Sequence, residues 1–315
     1  MKLSPLTLGE KIIKLPIFQG GMAVRVSLAP LAAAVANCGG AGTIAGTGMS
    51  PQELIDEIRK GRSLTQGILG VNVLFAVNNF TELVKAAIHE KIDFVVSGAG
   101  FSRDMFIWGK EANVPIIPIV SSAKLARISE KLGASAVVVE GKEAGGHLGT
   151  DRPLMEILPE VRSAVKIPVI AAGGIIDAQG IAQALRLGAD GVQLATRFVL
   201  SEECTVSENF KNYYLQAKKE DVVLIKSPVG LPGRALKNPF TELMSKEEIG
   251  IESCDGCLKV CNQDFCILDA LRRAEKGDTE RGLIFSGENI YKINEILSVR
   301  DIFKNLISGL DKINE

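Results

Sequence analysis

The chain has 315 residues, 46% of them hydrophobic, with 36 basic and 37 acidic residues that leave a net charge of −1. That length and apolar content can bury a large core, and the balanced, well-mixed charge argues against nucleic acid or an anionic membrane as the main partner. No apolar run reaches the roughly 20 residues of a membrane span, and MKLSPLTLGEKIIKLPIFQGG lacks the apolar centre and cleavage site of a signal peptide, so a soluble, cytoplasmic protein is expected.

Aliphatic runs recur along the chain, each followed by an amphipathic segment. IIKLPIFQGGM (12–22) leads into helix-like SLAPLAAAVANCGG (27–40). AGTIAGT (41–47) is followed by PQELIDEIRKG (51–61), ILGVNVL (68–74) by FTELVKAAIHEK (80–91), and IDFVVSGAG (92–100) by SRDMFIWGKEAN (102–113). VPIIPIVSS (114–122) precedes AKLARISEKLG (123–133), and ASAVVVEG (134–141) precedes a glycine-rich loop and PLMEILPEVRSAV (153–165). IPVIAAGG (167–174) precedes DAQGIAQALRLG (177–188), and ADGVQLATRFVL (189–200) closes the series.

Most of these eight runs are continuous rather than alternating, as strands covered on both faces should be. The helix-like segments carry Leu, Ile or Ala at three- and four-residue spacing, and several end in glycine, a common helix C-cap. Eight strand–helix units in about 200 residues predict an α/β fold of the (β/α)8 TIM-barrel type; a doubly wound open sheet is the alternative. The barrel expectation places chemistry just after the strand ends. Beyond residue 200 the beat is lost. A cysteine-rich segment, helix-like ILDALRRAEKGD (267–278) and amphipathic IYKINEILSVRDIFKNLISGLDKI (290–313) follow. Residues 1–200 are expected to form the barrel, and 201–315 its last helix plus a cap packed on it.

IPVIAAGGI and GADGVQLATRF fall at the ends of strands 7 and 8, where barrels often bind phosphate on backbone N–H groups. Gly173 and Gly174 let backbone approach a ligand, and Ala195 and Thr196 add N–H groups and a hydroxyl. Tight turns alone would also explain these glycines. No GxGxxG follows an early strand and no GxxxxGK[ST] occurs, which makes Rossmann and P-loop sites unexpected.

QGGMA, GVNVL, EGKEAGGHLG, IPVIAAGGI and GADGVQLATRF occur in the order seen in FMN-dependent nitronate monooxygenases, once called 2-nitropropane dioxygenases, and in the related flavin-dependent enoyl-ACP reductase II enzymes. The chain resembles this family over residues 10–240. The resemblance implies FMN in the barrel mouth, with Gly21, Met22 and Ala23 against the isoalloxazine and Asn72 on its polar edge. Glu140 and the backbone of Gly145 and Gly146 would flank the ring; Gly173, Gly174, Gln193, Ala195 and Thr196 would hold the phosphate. By their own residue chemistry, Asn72 also reads as a turn residue and Gln193 as a buried polar group.

The chain has only two histidines. His89, late in an amphipathic segment, reads as a surface residue near a helix C-terminus. His147 follows strand 6 on the catalytic face, after two glycines, and can take or give a proton near neutral pH. The resemblance implies that it takes the α-proton of a nitroalkane, or sits near flavin and substrate in a reductase. Lys142 and Glu143 read as solvent-facing charges. SCDGCLKVCNQDFCI places Cys254, Cys257, Cys261 and Cys266 in a C-x2-C-x3-C-x4-C array, open to an iron–sulfur cluster, zinc or free thiols. Its start resembles the cluster loop of 2,4-dienoyl-CoA reductases, and it departs from the usual family pattern. Cys38 and Cys204 read as structural thiols. In SPVGLPGRALKN (227–238), Leu231 replaces a histidine common in the enoyl reductases, and Arg234 reads as an anion-binding or surface residue. The leading expectation is an FMN oxidoreductase like nitronate monooxygenase. The alternatives are an NAD(P)H-dependent enoyl-ACP reductase II, with an acyl carrier protein as partner, and an iron–sulfur flavoprotein carrier docking a redox partner. A homodimer is carried as an expectation; substrate identity and electron donor stay open.

Overall fold

The computed structural model describes residues 3–246, 251 and 254–313. The chain begins with an antiparallel hairpin, β1 (Leu6–Leu8) and β2 (Lys11–Ile13). Six barrel strands follow: β3 (Ile17–Gln19), β4 (Ala41–Ala45), β5 (Ile68–Leu74), β6 (Phe94–Gly98), β7 (Ile116–Val120) and β8 (Val137–Glu140). A two-residue strand outside the barrel, β9 (Gly146–His147), precedes β10 (Val169–Ala172) and β11 (Gly191–Leu194). The eight parallel strands close into a barrel where β11 pairs with β3, Val192 opposite Ile17 and Gln193 opposite Phe18. Closure removes the open-sheet alternative.

The expected first run, 12–22, is two elements. Ile12 and Ile13 belong to the hairpin, and the barrel strand starts at Ile17, after Pro16. Proline has no N–H for a ladder, but its carbonyl accepts from Val192 N.

Helices α1 (Ala29–Asn37), α2 (Pro51–Leu64), α3 (Phe80–His89), α4 (Arg103–Ala112), α5 (Ala123–Leu132), α6 (Leu154–Ala164) and α7 (Ala178–Arg186) separate successive barrel strands. Their starts are chemically marked. Ser50 and Glu53 form a reciprocal capping box on α2, and Ser122 and Asp177 cap α5 and α7. The remaining helices are α8 (Thr196–Val199), α9 (Glu208–Gln216), α10 (Pro239–Ser245), α11 (Ile267–Glu275) and α12 (Val299–Ile313). α12 packs against α7 and α1, so it takes the eighth place in the outer ring. About a hundred residues are thus inserted between β11 and its helix. Part of that insert is a hairpin, β12 (Val222–Lys226) and β13 (Pro232–Leu236), with β9 paired to the far edge of β13.

The barrel interior holds Phe18, Phe94, Val96, Ile117, Val138 and Ile170, joined by Leu6, Leu8 and Ile13 of the hairpin, which plugs one end. Phe18 and Phe94 meet edge to face at 5.8 Å. Gly70 makes room for them: a Cβ there would lie 2.2 Å from the Phe94 ring. Two larger apolar clusters lie between strands and helices and extend under the insert. No helix among the described residues is long and apolar enough to cross a membrane.

Candidate functional site

A cavity of about 610 Å³ opens at the C-terminal ends of the barrel strands and is walled on the other side by the insert. Gly21, Met22 and Ala23 after β3, Asn72 on β5 and Glu140 at the end of β8 line it. So do Gly145, Gly146 and His147 in the loop after β8, and Gln193, Ala195 and Thr196 at the end of β11. Gly173 and Gly174 lie in an adjoining recess of about 50 Å³, which shares Glu140, Gly145, Gln193, Ala195 and Thr196 with the main cavity. Ten of the twelve residues expected to hold a cofactor therefore line one cavity with His147, and Gly173 and Gly174 line the recess beside it.

The glycines are required by close packing. An added Cβ at Gly21 would lie 2.2 Å from Asn72 Cβ. The Asn72 amide sits on that backbone, Nδ2 donating to the Gly21 carbonyl at 3.0 Å. Its Oδ1 is buried without a partner, and an unmade bond of that kind costs about 1–3 kcal/mol. Gly173 and Gly174 adopt φ of +109° and +70°, values that side chains with a Cβ rarely reach. A Cβ at Gly145 would lie 2.6 Å from the Ser286 carbonyl carbon.

That last contact belongs to a segment the sequence reading missed. Residues 285–289 tie three strand ends together. Gly287 N donates to Thr196 Oγ1 at 3.0 Å, Asn289 Nδ2 to the Gly174 carbonyl at 2.7 Å, and Glu288 N to the Glu143 carbonyl at 3.0 Å. GLIFSGENI carries a serine–glycine turn signal, which marks a loop without saying what it touches.

His147 is held by the insert's sheet. It pairs with Gly233 across β13, and Leu148 N donates to the Pro232 carbonyl at 2.8 Å. The Phe285 ring packs edge-on against the imidazole, centroids 5.2 Å apart, and Ser227 Oγ lies 2.8 Å from Nε2. Removed from bulk water, His147 is pushed down to about 4 and the Glu140 carboxyl up to about 8. Both groups are thus predominantly uncharged at neutral pH, and the cavity wall they form is neutral.

The other singled-out residues fall away from the chemistry. His89 is exposed at the end of α3, beside Glu90. Glu143 is not a free surface charge: its carboxylate accepts from Leu154 N at the start of α6. Lys142 serves through its backbone, its carbonyl accepting from Arg234. Arg234 is 9% exposed and faces Glu288 at 3.8 Å, so the expected anion-binding or surface arginine is instead a strut of the His147 sheet. Cys204 is buried, its thiol donating to the Val26 carbonyl, and Cys38 is half-buried.

Cys254, Cys257, Cys261 and Cys266 lie in irregular chain along the cavity rim, all as free thiols. Cys257 lines the cavity; burial first, then the other three sulfurs, raise its pKa. The segment is fixed mainly by its backbone, with Asn78 N donating to the Cys257 carbonyl and Lys259 N to the Ala76 carbonyl. Cys254 is exposed and the other three half-buried. Among the described residues no group of three or more His, Cys, Asp or Glu is placed to hold a metal ion. The arrangement of the four thiols thus gives no support to the expected iron–sulfur or zinc centre.

A family model described as nitronate monooxygenase matches residues 6–89 and 74–309. A probable nitronate monooxygenase of Staphylococcus aureus is 30% identical, the match covering 96% of each chain. A hydroxy-methyl-oxo-octahydro-indene-carboxyl-CoA dehydrogenase of Rhodococcus jostii is 36% identical over 74% of this chain, and the match spans 65% of that relative's length. Among solved structures, FabK of Thermotoga maritima superposes with a TM-score of 0.85 at 35% identity, covering 96% of this chain and 94% of that one.

Proposed function

The chain belongs to the nitronate monooxygenase family and is an oxidoreductase, and from that premise we propose that it binds FMN across the barrel mouth and oxidises a small nitronate- or nitroalkane-type molecule beside His147. The observation that carries this reading is the convergence of ten of the twelve expected cofactor residues and His147 on one cavity, with Gly173 and Gly174 in the recess beside it. The residues fit the group. The unpartnered Asn72 Oδ1 calls for a donor, the walls around Glu140 and His147 are neutral, and the Gly173–Gly174 recess keeps backbone open to a phosphate.

When bound, FMN supplies a reversible acceptor of two electrons. The protein's own part is binding and orientation. Gly21, Met22 and Ala23 would offer close backbone to the flavin ring, and Gly145 and Gly146 would do so from the loop after β8. Gly173, Gly174, Ala195 and Thr196 would hold the phosphate, with Asn289 and Gly287 keeping those turns in place. Apolar side chains of the insert, including Leu258, Leu268, Leu271 and Leu283, complete the wall and exclude water.

A second reading is supported by the likeness to FabK over nearly the whole chain: reduction of an enoyl thioester carried on an acyl carrier protein, with NAD(P)H as electron donor. The two readings differ in the direction of electron flow and share the site. The test is His147→Ala, assayed with nitronates and with enoyl thioesters. Unaltered flavin content and a loss of about a hundredfold or more in turnover are expected. Unchanged turnover on every accepted substrate would remove His147 from the chemistry.

A further inference from the structure

Two groups compete for one hydrogen between Ser227 and His147, and the surroundings decide which of them gives it. Ser227 is 2% exposed, and its Oγ has two neighbours: Val229 N, which donates to it at 3.4 Å, and His147 Nε2 at 2.8 Å. A hydroxyl carries one proton and two lone pairs. If Nε2 carried the ring proton and donated to Oγ, the buried serine proton would have no acceptor. If the serine donates to Nε2, every group is satisfied: Oγ accepts from Val229 and gives its proton to the ring. Buried hydroxyls are rarely left unpaired, so the second arrangement prevails and the ring's own proton sits on Nδ1.

With Nε2 engaged by Ser227, Nδ1 is the ring nitrogen left for the cavity that His147 lines. It has no hydrogen bond to protein, and it is not among the sealed side-chain atoms left without one, which are Asn72 Oδ1, Arg197 Nε, Arg234 Nε and Glu288 Oε2. The ring cannot readily turn. Its backbone is pinned by the pairing with Gly233, and Phe285 packs against it at 72°. Burial keeps the imidazole uncharged above pH of about 4, so the tautomer, rather than the charge, sets what the cavity meets.

We propose that Ser227 is the positioning residue for His147, holding it as the Nδ1–H tautomer so that a neutral hydrogen-bond donor, and not a base, faces the substrate. The ligand such a group recognises is an oxygen bearing partial negative charge, on the side of the substrate that reacts. A neutral imidazole can polarise such an oxygen without proton transfer. This departs from the role implied for His147 by family resemblance, the removal of an α-proton. It rests on the reading of His147 as the group that meets substrate.

The test uses the protein as isolated, any bound flavin included, labelled with 15N-histidine. Only two rings report, and exposed His89 serves as the internal reference. Long-range proton–nitrogen correlation at pH 7 is expected to show His147 as the Nδ1–H form. Ser227→Ala should shift it by about tenfold or more toward Nε2–H, the form free histidine prefers, while Ser227→Thr keeps the wild-type pattern. An Nε2–H ring in the wild type overturns the proposal, even if no variant folds. So does an Nδ1–H ring that persists in a folded Ser227→Ala. Neither readout needs turnover. Loss of flavin binding with Nδ1–H intact would refute the functional reading alone, and bound flavin over an Nε2–H ring would refute this one alone.

Discussion

Glu140 and His147 face the same cavity and are both uncharged at neutral pH, but they affect stability in opposite directions. Burial raises Glu140 from 4.5 to about 8, so between those values the native state holds a proton that the unfolded chain has released. Stability from this group is lost as pH rises through that window. For His147, lowered from 6.5 to about 4, the unfolded chain takes up a proton first, and stability is lost as pH falls through that window. Glu140→Gln isolates the first effect. The variant should match the parent within error at pH 4 and exceed it by a few kcal/mol at pH 8.5, at ~1.4 kcal/mol per pKa unit. Urea unfolding at the two pH values measures this; an equal difference at both would contradict it. The place of His147 on the cavity was legible in the sequence because a histidine after a glycine pair at a strand end is distinctive. Its partner was not. Ser227 lies 80 residues further on, and a serine beside a proline reads only as a turn.

At the level of elements, the barrel strands were legible because parallel strands buried on both faces must be apolar throughout. ILGVNVL coincides with β5, Ile68–Leu74. The sheet that holds His147 was not legible. β9 has two residues, too few for any periodicity, and β12 shows no clean alternation between buried and exposed positions. α12 was visible as an amphipathic run but not as the eighth ring helix, because its place depends on contacts with α1 and α7 made across a long insert. The barrel interior makes its own prediction. Gly70→Ala would press a methyl group into Phe94, 2.2 Å away, and such overpacking costs about 1–3 kcal/mol. Chemical denaturation should show a lowered midpoint with an unchanged slope. A midpoint equal to that of the parent would mean that Phe94 yields freely and the interior is less tightly packed than described.

Taken whole, the molecule is a barrel whose chemistry-bearing loops are finished by a segment far downstream. The insert supplies the sheet under His147, the 285–289 strap across three strand ends, and the apolar wall opposite the strand tips. The four-cysteine segment belongs to the same rim. Its sequence spacing suggested a metal centre, yet its contacts in the fold are those of a docked loop, with Cys257 alone among the four thiols lining the cavity. Spacing brings the thiols into one another's reach, as the influence of the other three sulfurs on Cys257 shows, but it does not by itself set them in the geometry of a metal site.

The central claim, a flavin held between the glycine turns and His147, is tested most directly by the absorbance spectrum of the purified protein with its extracted cofactor identified. The account predicts a yellow protein carrying FMN at close to one per chain, or one that regains that stoichiometry on titration of flavin-free protein with FMN. A folded, colourless protein that takes up no FMN on titration would contradict it.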